Sequence, residues 1–163
     1  MANILDPDWD AEQDRPPFRW RRSRLGLQAG SEKLGASMFE LEPGAASFPL
    51  HIHYANEELL IVLEGSPTLR QLDGERRLDP GEVVALPAGR RGAHRVENRS
   101  DTTTRILVIS TMLAPEVNEY PESDKIRVLD HAPGAVRSQA GELDTIVSSE
   151  HPLADYLEGE ATV

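Results

Sequence analysis

The chain has 163 residues, 28 acidic against 17 basic for a formal net charge of −11, and no cysteine. That length suits one domain with a sizeable core. The acidic excess repels phosphate backbones and anionic lipid, which argues against nucleic-acid or membrane-surface binding, and the lack of thiols removes disulfides, thiolate metal sites and cysteine nucleophiles.

Residues 1–17 are polar and acidic and end in Pro16-Pro17, so they read as a flexible N-terminal arm. They show no basic start followed by an apolar run, and no later apolar stretch is long enough to cross a bilayer, so a cytoplasmic protein is expected. Next, FRWRRSRLGLQ alternates weakly around Phe18, Trp20, Leu25 and Leu27, with Arg19, Arg21, Arg22 and Arg24 expected along a strand edge. LGASMFELEPGAA over 34–46 is a better strand, closed by Pro43-Gly44. Short apolar runs then repeat: ELLIVLEG, PTLRQLDG, ERRLDPG, EVVALPAG, AHRVENRS and TTTRILVISTML. Gly, Pro and Asp break them at short intervals, the mark of an all-β sandwich or barrel over 18–113. After Leu113 the chain becomes acidic and proline-broken, with one edge strand expected in DKIRVLD and a short helix in HPLADYLEGE. Residues 114–163 read as an irregular C-terminal extension packed on the barrel, with His131 and His151 as surface residues.

Two of the five histidines lie one residue apart in PLHIHYANEELL. In a strand, residues i and i+2 share a face, so His51 and His53 project together. If Tyr54 to Glu57 form a hairpin connection, Glu58 returns beside them. A fourth donor, His94, follows the PAGRRGA loop. Imidazole nitrogens with one carboxylate suit Zn, Fe, Mn, Ni or Co, and four such ligands leave one or two coordination positions open, as in a catalytic site.

These residues fall in an order that resembles the cupin superfamily. Its first motif, G-x(5)-H-x-H-x(3,4)-E-x(6)-G, is matched by Gly44, His51, His53, Glu58 and Gly65. Its second, G-x(5)-P-x-G-x(2)-H-x(3)-N, is matched by Gly81, Pro87, Gly89, His94 and Asn98. Two spacings depart from the pattern. One extra residue separates Gly44 from His51, and two extra residues separate Gly89 from His94, which makes His94 the ligand most open to displacement. Glu57 competes with Glu58, but the step to Gly65 fits Glu58 alone. The resemblance implies an antiparallel jelly-roll barrel holding one divalent metal ion (Zn, Fe, Mn or Ni) through positions matching His51, His53, Glu58 and His94.

The resemblance also implies a small-molecule ligand or substrate, and it points to metalloenzyme chemistry of Lewis-acid type, like that of sugar-phosphate isomerases. An Fe(II)-dependent dioxygenase, or a cupin that binds or senses a small molecule without turnover, fits the same ligands. No general base is evident, although Glu64 shares strand parity with Glu58. Arg90 and Arg91, in the enlarged loop, are candidates for an anion, and Tyr54 and Tyr120 for the pocket wall. Leu59, Ile61 and Leu63 make the Glu58 strand apolar on both faces, which suggests coverage in a homodimer.

Overall fold

Gly, Pro and Asp cut the chain into short runs, and nearly every run becomes a strand in the computed structural model, which describes residues 2–134 and 143–148. β1 (Ala11–Arg15) and β2 (Phe18–Ser23) come first, then the short helix α1 (Leu25–Gln28) and the long strand β3 (Leu34–Leu41). The central region holds β4 (Ile52–His53), β5 (Glu58–Glu64), β6 (Thr68–Gln71), β7 (Gly74–Arg77) and β8 (Val83–Leu86). A 3-10 turn at Arg90–Gly92, β9 (Arg95–Glu97) and β10 (Thr104–Thr111) complete the stretch that reads as barrel. β11 (Glu116–Tyr120), β12 (Lys125–Leu129) and β13 (Asp144–Ser148) follow. No helix among the described residues is long and apolar enough to cross a membrane.

All named strand pairs among the described residues are antiparallel. One layer is six-stranded, in the order β1-β2-β3-β10-β5-β8. Opposite it lie a three-stranded sheet, β7-β6-β9, and a four-stranded one, β13-β12-β11-β4. A bridge between His51 and His94 joins these two, with His51 N–H donating to the His94 carbonyl at 3.2 Å and His94 N–H to that of His51 at 3.0 Å. The core fills the space between the layers. Phe39, Leu41, Leu60, Val62, Leu86 and Ile106 come from the six-stranded side and Leu69 and Val96 from the other. Trp20 and Phe48 pack against this cluster, with their ring centroids 5.4 Å apart. Alternation explains the division: Leu60 and Val62 are 0% and 1% exposed, while Leu59, Ile61 and Leu63 between and beside them are half-buried on the outer face.

Several expectations change. Part of the stretch read as an arm pairs as β1 with β2, so Asp14 lies opposite Arg19 and Glu12 opposite Arg21. β2 is therefore not an edge strand. Its arginines alternate faces: Arg21 reaches Glu40 on β3, whereas Arg22 lies opposite the core residue Phe39. DKIRVLD contributes β12, which is flanked by β11 and β13 rather than lying at an edge. β11, from the segment read as an irregular connection, pairs with β4 and walls the site. The short helix expected in HPLADYLEGE, and His151 with it, lie outside the described residues.

Candidate metal centre

His53 is on β4, His51 and His94 sit just before β4 and β9, and Glu58 opens β5. The hairpin expected between the histidine pair and Glu58 does not form: β4 pairs with β11, while β5 pairs with β10 and β8. The four residues Tyr54 to Glu57 instead cross between layers, so the imidazoles and the carboxylate face one another through the barrel interior. All four side chains are still brought together. Donor atoms of His51, His53 and Glu58 lie within 4.8 Å of one another. Glu58 Oε1 is 3.8 Å from His53 Nε2, and Oε2 is 3.1 Å from His94 Nε2. The His51 ring is 4.9 Å from that of His53 and 4.3 Å from that of His94, whereas His53 and His94 are 6.1 Å apart, so His51 is the middle member.

Each imidazole is aimed by a contact at its far nitrogen. His51 Nδ1 donates to the Pro49 carbonyl and His94 Nδ1 to the Gly92 carbonyl, both at 2.9 Å. That tautomer leaves the Nε2 lone pair free to act as a ligand. The two extra residues after Gly89 are absorbed by the 3-10 turn, in which Gly92 N–H donates to the Gly89 carbonyl at 3.0 Å, so His94 keeps its place. His53 Nδ1 is 3.3 Å from Glu116 Oε2 and 2.7 Å from the Asn118 amide. Glu116 is fully buried and also accepts from the backbone N–H groups of Tyr54 at 3.0 Å, Ala55 at 3.1 Å and Val117 at 2.9 Å, and from the Asn56 amide. Asn56 Oδ1 in turn accepts from Leu113 N–H at 2.8 Å. This carboxylate–histidine pair is the outer-shell arrangement that fixes a ligating ring.

The electrostatics suit a cation. Burial, with the neighbouring His94 and His53, pushes His51 down to about 3, which keeps it neutral. Burial opposes ionisation of Glu58, but contact with His94 and the other imidazoles outweighs it and holds Glu58 at about 2. His53 is pulled down by burial yet held above its ordinary value by Glu116 and Glu58. Glu116 is held at about 2 because its hydrogen bonds outweigh the cost of burial. Glu58 Oε2 is buried, approaches His94 without an aligned hydrogen bond, and has no other partner among the described residues. Three imidazole nitrogens and an orphaned carboxylate oxygen fit a divalent metal ion of borderline softness.

The cluster lines a cavity of about 310 Å³ that also meets Phe48, Leu60, Asn118 and Tyr120. Tyr120 stacks toward His51, with ring centroids 6.3 Å apart and planes at 28°. Tyr54 is 47% exposed and outside this wall. Glu57 is exposed, as expected. Glu64 is at the far end of β5, exposed and 3.5 Å from Arg105, so it offers the site no base. Arg90 ion-pairs with Glu119 at 2.8 Å, Arg91 is exposed, and neither lines the cavity. The arginines that do are Arg22, Arg24 and Arg127. Tyr120 lines the cavity as expected, whereas Glu116 and Asn118 escape the sequence reading, although EVNEY carries their signal: polar residues at one strand parity, facing inward.

A double-layered antiparallel barrel with three histidines and a glutamate gathered in its interior defines a jelly-roll domain. The sequence profile of the cupin domain matches residues 37–110. L-ectoine synthase of Rhodococcus jostii (strain RHA1) is 34% identical over 111 residues, covering 66% of this chain and 77% of that protein. The chain belongs to the cupin family. It is also 36% identical over 76 residues to the tetracenomycin polyketide synthase protein TcmJ of Streptomyces glaucescens, covering 47% of this chain and 49%, about half, of TcmJ. Among solved structures, a sugar phosphate isomerase of the cupin superfamily from Silicibacter pomeroyi DSS-3 superimposes with a TM-score of 0.77 at 25% identity, over 95% of this chain and 97% of that one.

Proposed function

We propose that this chain is a metal-dependent enzyme that isomerises a small phosphorylated sugar, with His51, His53, Glu58 and His94 as metal ligands. The observation that carries the reading is the convergence of those four side chains on one cavity whose remaining wall is free to take a substrate. The near full-length likeness to a sugar phosphate isomerase supports the reaction class. Bound there, the ion would serve as a Lewis acid for a substrate carbonyl. The chain's own residues do the rest. Pro49, Gly92 and Glu116 fix the orientation of the three rings. Asn118 and Tyr120 offer polar groups to the substrate, while Phe48 and Leu60 exclude water on the apolar side.

The test is metal content by mass spectrometry of untagged protein purified without chelators, followed by NMR of aldose–ketose interconversion with a panel of sugar phosphates. Bound zinc, manganese or nickel, lost in His51→Ala and His94→Ala together with turnover, is the expected result. Stoichiometric iron with O2 uptake would replace this reading by a dioxygenase, and small-molecule binding without turnover would leave a sensing module. Wild-type protein that takes up no metal even on reconstitution sinks the proposal. The same reading takes the chain as a cytoplasmic homodimer covering the outer face of β5 and β10, where Ile61 lies opposite Leu107 and Leu59 opposite Ile109. Sedimentation at twice the 18.0 kDa chain mass, reverting to one chain mass in Ile61→Glu, checks it.

A further inference from the structure

Among the described residues three arginines line the cavity, and two are already neutralised. Arg24 Nε bonds Asp10 at 3.0 Å, and Arg127 bonds both oxygens of Asp144 at 2.8 and 2.7 Å. Arg22 has no carboxylate within ion-pair distance among the described residues, in a chain whose acids far outnumber its bases. Its Nε is buried and has no hydrogen-bond partner among the described residues. β2 aims the side chain inward: Arg22 shares the face of Trp20, lies opposite Phe39, and holds its guanidinium 5.6 Å from the Trp20 ring centroid. The charges that act on it are Arg24, which repels it, and Asp10, which is already engaged by Arg24. A partly desolvated guanidinium without a counter-ion, facing a cavity, is a site for an anion.

An aromatic path relates this cation to the imidazoles. Arg22 lies 5.6 Å from Trp20, Trp20 is 5.4 Å from Phe48, and Phe48 is 6.1 Å from His51. A ligand that uses both ends must carry an anionic group at one end and an oxygen donor at the other, with a compact body between. The cavity, about 310 Å³, lies at the small end of ligand pockets and limits that body to metabolite size.

We propose that Arg22 anchors the phosphoryl end of the substrate whose other end reaches the His51–His53–Glu58–His94 cluster. The assignment rests on the isomerase reading for the nature of the anion, but the cation and its lack of a partner among the described residues do not depend on the metal.

Isothermal titration of the purified protein with inorganic phosphate, and separately with acetate, tests it in wild type, Arg22→Gln, Arg22→Lys and Arg90→Gln. One phosphate per chain is expected in wild type and Arg90→Gln. Affinity should fall about tenfold or more in Arg22→Gln and less in Arg22→Lys, which keeps the charge but loses the fork. Metal content and circular dichroism unchanged in Arg22→Gln would exclude collapse of the barrel as the cause. If Arg22→Gln does not fold, the fall in Arg22→Lys against Arg90→Gln decides. No phosphate binding in wild type, equal binding in the Arg22 variants, or tighter binding of acetate than of phosphate would overturn the anchor. Phosphate bound through Arg22 by a protein that takes up no metal would leave the anchor standing and remove the isomerase reading.

Discussion

Glu116 does for His53 what backbone carbonyls do for His51 and His94, and it does so while gathering three backbone N–H groups and the Asn56 amide. A carboxylate can satisfy that many donors because it only accepts. Glu116→Gln keeps the shape but turns an NH2 group toward donors, leaving at least one buried group unsatisfied at a cost of about 1–3 kcal/mol. His53 also loses its charged orienting partner, and such losses weaken metal binding about 10–100-fold. Competition titration with a chelating indicator should show that fall while far-UV circular dichroism stays native. Unchanged affinity would detach Glu116 from the site. The four proposed ligands are legible in the sequence because HIH, Glu58 and His94 sit in a spaced pattern. Glu116 is not, since an acidic stretch bounded by prolines has the composition of a solvated connection, and only pairing with β4 turns that glutamate inward.

At the scale of elements, the strands themselves are legible but their partners are not. Alternation and turn residues mark β3, β5, β8 and β10, whereas nothing local says that β4 leaves β5 for β11, or that residues 11–15 add a strand to the sheet. Two devices hold the resulting arrangement. The first is a ladder of charges across β2, β3 and β10: Arg21, Glu40 and Arg105 are in register, with Arg21 Nε at 2.6 Å and Arg105 Nε at 2.7 Å from the Glu40 carboxylate. Glu40 is 8% exposed but its arginines are partly solvated, so Glu40→Gln should cost about 1–2 kcal/mol at neutral pH by urea denaturation. Burial raises the Glu40 pKa, but the two arginines outweigh it and hold it below its ordinary value. Its contribution is therefore complete above the unfolded-state value and is lost as pH falls through the folded one. Wild type and variant should converge in stability at acid pH, and a constant gap would assign the cost to packing instead. The second device is Gly92, where a Cβ would stand 1.9 Å from the Pro87 carbonyl oxygen. Gly92→Ala must push the 3-10 turn outward, carrying with it the carbonyl that orients His94. A destabilisation of about 1–3 kcal/mol by thermal melt, with substoichiometric metal by mass spectrometry, is expected.

Across the whole molecule, the core and the donor cluster occupy the same barrel but do separate work. Leu41, Leu69, Leu78 and Ile106 are at most 1% exposed and belong to an apolar cluster that contains none of the four proposed ligands. Folding therefore does not wait on the ion, in contrast to small zinc domains whose only core is the metal. A bound ion would still add stability by mass action, about 2.7 kcal/mol when free metal stands at a hundred times its dissociation constant. For a chain of this size each kcal/mol moves the melting temperature by about 2–4 °C, so stripping the metal should lower it by roughly 5–10 °C. The stripped protein should retain its β circular dichroism and a single cooperative transition, and adding back the native ion should restore the original melting temperature. His51→Ala should start from the lower value and gain nothing from metal. Unfolding outright on removal would make the ion a structural staple and take away the open coordination site on which carbonyl chemistry depends. An unshifted melting temperature in a protein shown to have carried metal would mean that the unfolded chain binds it equally well, which a cluster assembled from both layers of the barrel does not allow.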